Sequence, residues 1–379
     1  MWRATSRSRP GRSRRRRRLT GAAVLLLALA VAAAACGDSE DTTTTTAATT
    51  TTAAPGTTAP PETTTTAAAE METVRLALDF LPNTNYSGIY VAMQNGYFER
   101  EGIDLQIVPW AFTVTGVLVE NGDADLGIAY PPDTVREVAL GLDLKAVAAI
   151  LQESNVSLIV PEDSPFQEAA DLADAENYGG FGTPHERAFV SEFLRATGDE
   201  NPDFEVVVLQ ASATEALTEG AVDFSAAFIG WLDIAARLGG TELRIFPYVD
   251  YVPEITYPDV ILIARSDVIE GRRDALERTM RALSDGYKFA AENPAETAQI
   301  LVTTVTDLEQ SVDLVTQSAE YRAGQYLTGD GAWGCLEQSD FAGVGDLLAR
   351  SGILQDAEGN EVEAPAFESF ATNELLPEC

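Results

Sequence analysis

Val74-Arg75-Leu76-Ala77-Leu78-Asp79-Phe80, then Leu81-Pro82-Asn83-Thr84-Asn85-Tyr86, then Ser87-Gly88-Ile89-Tyr90-Val91-Ala92-Met93-Gln94-Asn95-Gly96 reads as a strand, a loop and a helix in immediate succession. The apolar run is closed by Pro and Asn, Ser87 is a cap for a helix, and Gly96 is a stop for it. Ile103 to Trp110 supplies the next strand, so the segment is a βαβ unit and sets the class of the chain as α/β.

The same alternation continues outward. Asp125 to Tyr130, Leu144 to Leu151, Ser157 to Val160, Glu205 to Leu209, Val222 to Phe228 and Val260 to Ala264 read as strands. Val114 to Glu120, Asp133 to Ala139, Pro184 to Thr197 and Thr214 to Thr218 read as helices, and three longer amphipathic helices follow Asp267. Strands separated by helices predict parallel sheets, and some 300 residues are more than one core needs, so two lobes are expected. In such sheets the loops leaving strand C-ends form the ligand crevice. Those loops are Asp79 to Tyr86, Tyr130 to Asp133, Gln152 to Asn155 and Gly179 to Glu186.

Ahead of this region the composition changes. Residues 1 to 18 hold nine arginines and no acid, Leu19 to Ala35 is apolar and alanine-rich, and Ala33, Ala34 and Ala35 precede Cys36. This pattern resembles a bacterial lipoprotein signal, with residues 1–35 removed and Cys36 lipidated. The segment 36–71 is threonine-rich with no apolar period, and is expected to be a disordered tether from a lipid anchor on the outer face of the plasma membrane. After residue 18 the chain carries 16 basic against 59 acidic side chains, a formal charge of −43. Such a surface repels phosphate backbones and anionic lipids, which excludes nucleic acid as a partner and leaves the anchor as the only membrane contact.

Cysteine and histidine counts narrow the chemistry. Cys335 and Cys379 remain after lipidation of Cys36, and export makes them one expected disulfide. A single histidine and no cysteine cluster exclude the common zinc sites, so no metal and no cofactor are expected. There is no GxSxG and no HExxH, and Gly179-Gly180-Phe181-Gly182 lacks the third glycine of a dinucleotide loop and the lysine of a P-loop. No catalytic set stands out, and the chain is read as a binding protein and not as an enzyme.

The crevice loops are rich in aromatics and amides and carry Asp79, Asp133 and Glu186, with Arg136 and Arg187 the nearby cations. Ring faces and carboxylate edges suit a planar heterocycle that is neutral or bears an amine, whereas a sulfonate or nitrate site needs converging cations. Thr183-Pro184-His185-Glu186 has the pattern of a capping box, which gives Glu186 a structural use beside any ligand contact.

Leu78 to Ala92, Asn95-Gly96-Tyr97-Phe98, Asp125 to Pro131, Tyr178 to Glu186, Gly230-Trp231 and Phe370 to Glu374 closely resemble the NMT1/THI5-like substrate-binding proteins that feed ABC importers with thiamine pyrimidine precursors. The resemblance implies a type II periplasmic-binding fold, with 72–156 and 257–379 as one lobe and 157–256 as the other. It implies a small heterocyclic ligand, permease and ATPase partners, and a monomer. Its pocket maps onto Asp79, Phe80, Asn83, Tyr86, Tyr130, Asn155, Gly180, Gly182, Glu186 and Trp231. Tyr86 departs from the histidine common at that position, which keeps another heterocycle such as riboflavin open. The eukaryotic enzymes that make the pyrimidine use that histidine and a cysteine cluster, and this chain has neither, so a synthase-like activity is the weakest alternative.

Overall fold

The computed structural model describes residues 71–111, 113–209 and 212–379. The leader, Cys36 and the threonine-rich segment to residue 70 lie outside them. Ten strands form two five-stranded sheets. The first holds β1 (Glu72–Ala77), β2 (Ile103–Val108), β3 (Leu126–Ala129), β4 (Leu144–Ala149) and β10 (Ile261–Arg265), in the order β2-β1-β3-β10-β4. The second holds β5 (Val156–Pro161), β6 (Asn177–Gly180), β7 (Glu205–Val208), β8 (Phe224–Phe228) and β9 (Leu243–Pro247), in the order β7-β6-β8-β5-β9. The chain crosses from the first sheet to the second after β4 and returns after β9, giving the two α/β lobes of a type II binding fold.

The expectation of wholly parallel sheets is corrected. β1 runs parallel to β2 and β3, and β6 parallel to β7 and β8, but β10 is antiparallel to β3 and β4, and β5 to β8 and β9. The inverted strands are the two that enter a sheet from the other lobe. Two strands were also missed in the sequence reading. β6 contains Gly179 and Gly180, which read as loop, and β9 is an edge strand ending in Pro247.

Burial follows the apolar pattern. The strands of the first sheet bury Val74, Leu76, Leu126, Ile128 and Leu262 completely. Helix Arg273–Glu292 covers them with Leu276, Met280, Leu283 and Tyr287 on one stripe. It meets helix Ser87–Gln94 backbone to backbone, since a Cβ on Gly286 would fall 2.1 Å from the Gly88 carbonyl oxygen. Only glycine permits that approach, and it fixes the position of the helix that follows the first crevice loop. Cys335 and Cys379 are joined as a disulfide with Cα atoms 5.6 Å apart, pinning the C-terminal segment beside Trp333. Among the described residues no helix is long and apolar enough to cross a membrane.

Candidate functional site

Loops from both sheets enclose a cavity of 330 Å³ whose lining is chiefly apolar. From the first lobe come Asp79, Phe80, Asn83 and Tyr130; from the second come Phe181, Glu186, Phe228 and Trp231. Six of the ten residues expected at the pocket therefore line it, namely Asp79, Phe80, Asn83, Tyr130, Glu186 and Trp231. Phe80 is 47% exposed and its ring lies 5.1 Å from that of Trp110. Tyr130 opens the helix Pro131–Ala139, and its ring reaches 5.5 Å from Phe228 of the other lobe, with Phe181 a further 6.0 Å along. Aromatic faces thus run in a row from one lobe to the other. The row offers ring faces on which a flat ring can stack.

The other four expected residues stand behind this wall. Tyr86 is 1% exposed, and its hydroxyl donates to Asp79 Oδ1 at 2.8 Å, so it orients the carboxylate and offers no stacking face. Asn155 is buried, and its Oδ1 accepts from Gln325 Nε2 at 2.7 Å and from the Tyr321 hydroxyl at 3.3 Å. It clips the first crossing segment to residues 321–325. Gly180 and Gly182 shape the loop: a Cβ on Gly180 would lie 2.6 Å from Glu186 Oε1, and Gly182 has φ +82.

Glu186 is the center of that loop. Its Oε1 accepts from the Phe181 amide at 2.6 Å and the Tyr178 hydroxyl at 3.1 Å, and its Oε2 from the Gly182 and Thr183 amides at 2.6 and 2.9 Å. A carboxylate has about four lone-pair sites, and all are taken. The helix begins at Glu186, after the expected Pro184, and the Thr183 side chain bonds His185 Nε2 and not the Glu186 amide. Only the Glu186-to-Thr183 half of the expected capping box is therefore present, while two further amides join it. Glu186 stands on the cavity wall, as expected of a pocket residue, and its carboxylate holds the loop that carries Phe181 toward the cleft.

Asp79 is differently placed. Burial pushes its carboxyl above the usual range, with the Tyr86 and Tyr130 hydroxyls acting against that rise. It remains half-buried and on the cavity wall, where it can accept from a ligand donor. His185 Nδ1 faces Asp133 Oδ1 across the lobes at 3.5 Å without a hydrogen bond. Sequence reasoning missed Phe228 and Arg322. Arg322 closes the helix Val312–Arg322, is fully buried, donates to Gln325 Oε1 at 2.8 Å and borders the cavity. Asp259, also fully buried, feels its charge, and burial drives that carboxyl up to about 7 against the pull of Arg322. No group of three or more His, Cys, Asp or Glu among the described residues is arranged to hold a metal ion.

Comparison with known proteins adds four findings. A family profile described as NMT1/THI5 like matches residues 83–297. The chain is 26% identical over 299 residues to the formylaminopyrimidine-binding protein of Halalkalibacterium halodurans, covering 76% of this chain and 89% of that protein. It is 22% identical over 245 residues to the 4-amino-5-hydroxymethyl-2-methylpyrimidine phosphate synthase of Legionella pneumophila, covering 60% of this chain and 72% of the relative. Among solved structures, the ligand-binding component of an ABC-type import system from Staphylococcus aureus superposes with a TM-score of 0.61 at 15% identity, covering 81% of this chain and 99% of that one.

Proposed function

We propose, for a chain that belongs to the NMT1/THI5-like family, that it is the lipid-anchored solute-binding component of an ABC importer and that its ligand is an aminopyrimidine related to the thiamine precursor. The observation that carries this reading is the row of aromatic faces across the cleft with a reachable carboxylate, Asp79, at its edge. An aminopyrimidine has a flat ring to stack and an exocyclic amine to donate. Phe80, Phe228 and Trp231 supply ring faces, Asp79 accepts from the amine, and Tyr86 holds Asp79 in place. Arg322 is the single Arg or Lys side chain among the residues lining the cavity, so the cleft lacks the converging cations that an anionic ligand demands. Closure of the lobes on the ligand would present one surface to a permease, with Cys36 as the tether to the membrane.

Calorimetry of the purified protein with formylaminopyrimidine, 4-amino-5-hydroxymethyl-2-methylpyrimidine, riboflavin and taurine tests the reading. A hydrogen bond to a charged group is worth about 1.5–3 kcal/mol, so Asp79→Asn should weaken pyrimidine binding by about 10-fold to 100-fold. Binding of taurine alone would overturn the charge argument, and binding of riboflavin alone would move the protein to a flavin ligand.

A further inference from the structure

Beside the aromatic cleft lies a second cavity of 240 Å³. It shares Asp79, Tyr130 and Asp133 with the first and is bordered beyond them by Trp110, Thr115 and Glu137. Asp133 and Glu137 are four residues apart on the helix Pro131–Ala139, so both project from one face. Glu137 is only 4% exposed. Among the described residues it has no hydrogen-bond or ion-pair partner, its charged neighbours being Asp133 and Arg136. Of the hydroxyls in the lining, that of Thr115 is committed elsewhere, since its Oγ1 donates to the Ile128 carbonyl at 2.5 Å.

The fold reserves room for this carboxylate. A Cβ on Gly116 would fall 2.0 Å from Glu137 Oε2, so the acid lies against bare backbone. Burying an unpaired carboxylate is unfavourable, and it is tolerated when a proton or a bound cation completes it. Burial, followed by the repulsion of Asp133, raises its carboxyl to about 7, so the proton is held loosely at neutral pH. An amine reaching into the cavity brings both the hydrogen-bond donors and the positive charge that this carboxylate lacks.

We infer that this acidic annex receives a protonated amine carried on a short arm of the ligand, and that Glu137 makes the protein select amine-armed over hydroxyl-armed rings. The inference rests on the aminopyrimidine reading for the ring but not for the arm. Trp110, paired with Phe80, lies on the boundary between ring and arm. Asp79 and Asp133 border both cavities, so a ligand can span them without a break in the lining.

The test is calorimetry of the full purified chain with 4-amino-5-aminomethyl-2-methylpyrimidine and its 5-hydroxymethyl counterpart, run beside benzylamine and benzyl alcohol. The aminomethyl compound should bind about 10-fold or more tighter than the hydroxymethyl one. Glu137→Gln should erase that preference. Gly116→Ala, which keeps every charge but crowds the carboxylate, should reduce the preference independently. A preference that survives in both variants, or no preference in the wild type, overturns the inference. If neither pyrimidine binds but benzylamine keeps a Glu137-dependent advantage over benzyl alcohol, the ring assignment fails and the annex stands. If neither pair shows a Glu137-dependent preference, the annex is refuted whatever the ring.

Discussion

Replacing Glu186 by glutamine separates a residue that holds a loop from one that touches a ligand. The carboxylate accepts three backbone amides and one tyrosine hydroxyl. Glutamine keeps one carbonyl oxygen, able to accept two of the four, and turns an NH2 group toward the remaining donors. Two charge-assisted bonds are lost at about 1.5–3 kcal/mol each, and the Tyr178 hydroxyl recovers part of the loss by rotating to accept. The ligand-free protein should therefore be about 3–5 kcal/mol less stable. An unfolding entropy of about 2.1 cal/mol/K per residue over roughly 300 residues gives about 1.5 °C per kcal/mol, hence a drop in melting temperature of about 5–8 °C. Calorimetric or fluorescence melting without ligand measures it. Because the loop carries Phe181 into the cleft, affinity should fall as well. A variant that melts within about 1 °C of the wild type yet binds 10-fold more weakly would show that Glu186 spends its carboxylate on the ligand, and the four-bond account would be wrong.

Cys379→Ser should destabilise the protein by about 4 kcal/mol, from the chain-entropy cost of a 44-residue separation, while ligand affinity stays unchanged; denaturant melts and calorimetry on the same samples check both halves. A pH effect attaches to Glu137, whose carboxyl the fold raises from 4.5 to about 7, chiefly through burial. The folded state favours the protonated form, so the wild type loses stability as pH rises from 4.5 through 7. Glu137→Gln does not, and its stability relative to wild type should grow by about 2–3 kcal/mol between pH 5 and pH 8. A constant difference across that range would mean that Glu137 titrates normally.

Much of the first lobe was legible because its signals are local. The loop from Asp79 to Tyr86 does lie between a strand and a helix and reaches the cleft, although the strand already ends at Ala77 and the Ser87 hydroxyl bonds the Thr84 carbonyl instead of capping the helix. Strand direction was not legible, since alternation of apolar residues is the same whichever way a strand runs, and β5 and β10 are inverted only because the chain enters from the other lobe. The glycines of β6 mimic a loop because a sequence does not show that Gly180 stands clear for the Glu186 carboxylate. For the site, position after a strand C-end identified the right loops but not which side chains face outward. Tyr86 and Asn155 sit in those loops and turn inward to Asp79 and Gln325. Arg322 was beyond reach for another reason: helix packing brings it from far along the chain to a cavity formed mostly by earlier residues.

The two sheets share one topology. Reading β6, β7, β8 and β9 for β1, β2, β3 and β4 turns the second order into the first, with one inverted strand in the fourth place of each. In the second lobe that strand, β5, precedes its partners and the whole sheet is continuous from Val156 to Pro247; in the first, β10 arrives more than a hundred residues after β4. The order of assembly follows from this asymmetry. The second lobe can form all its pairings from one unbroken stretch, whereas β3 and β4 stay unjoined until β10 returns. Collapse of the second lobe also draws Ala149 and Ile261 together, so the long closure becomes a short one. The second lobe is thus the template on which the first is completed.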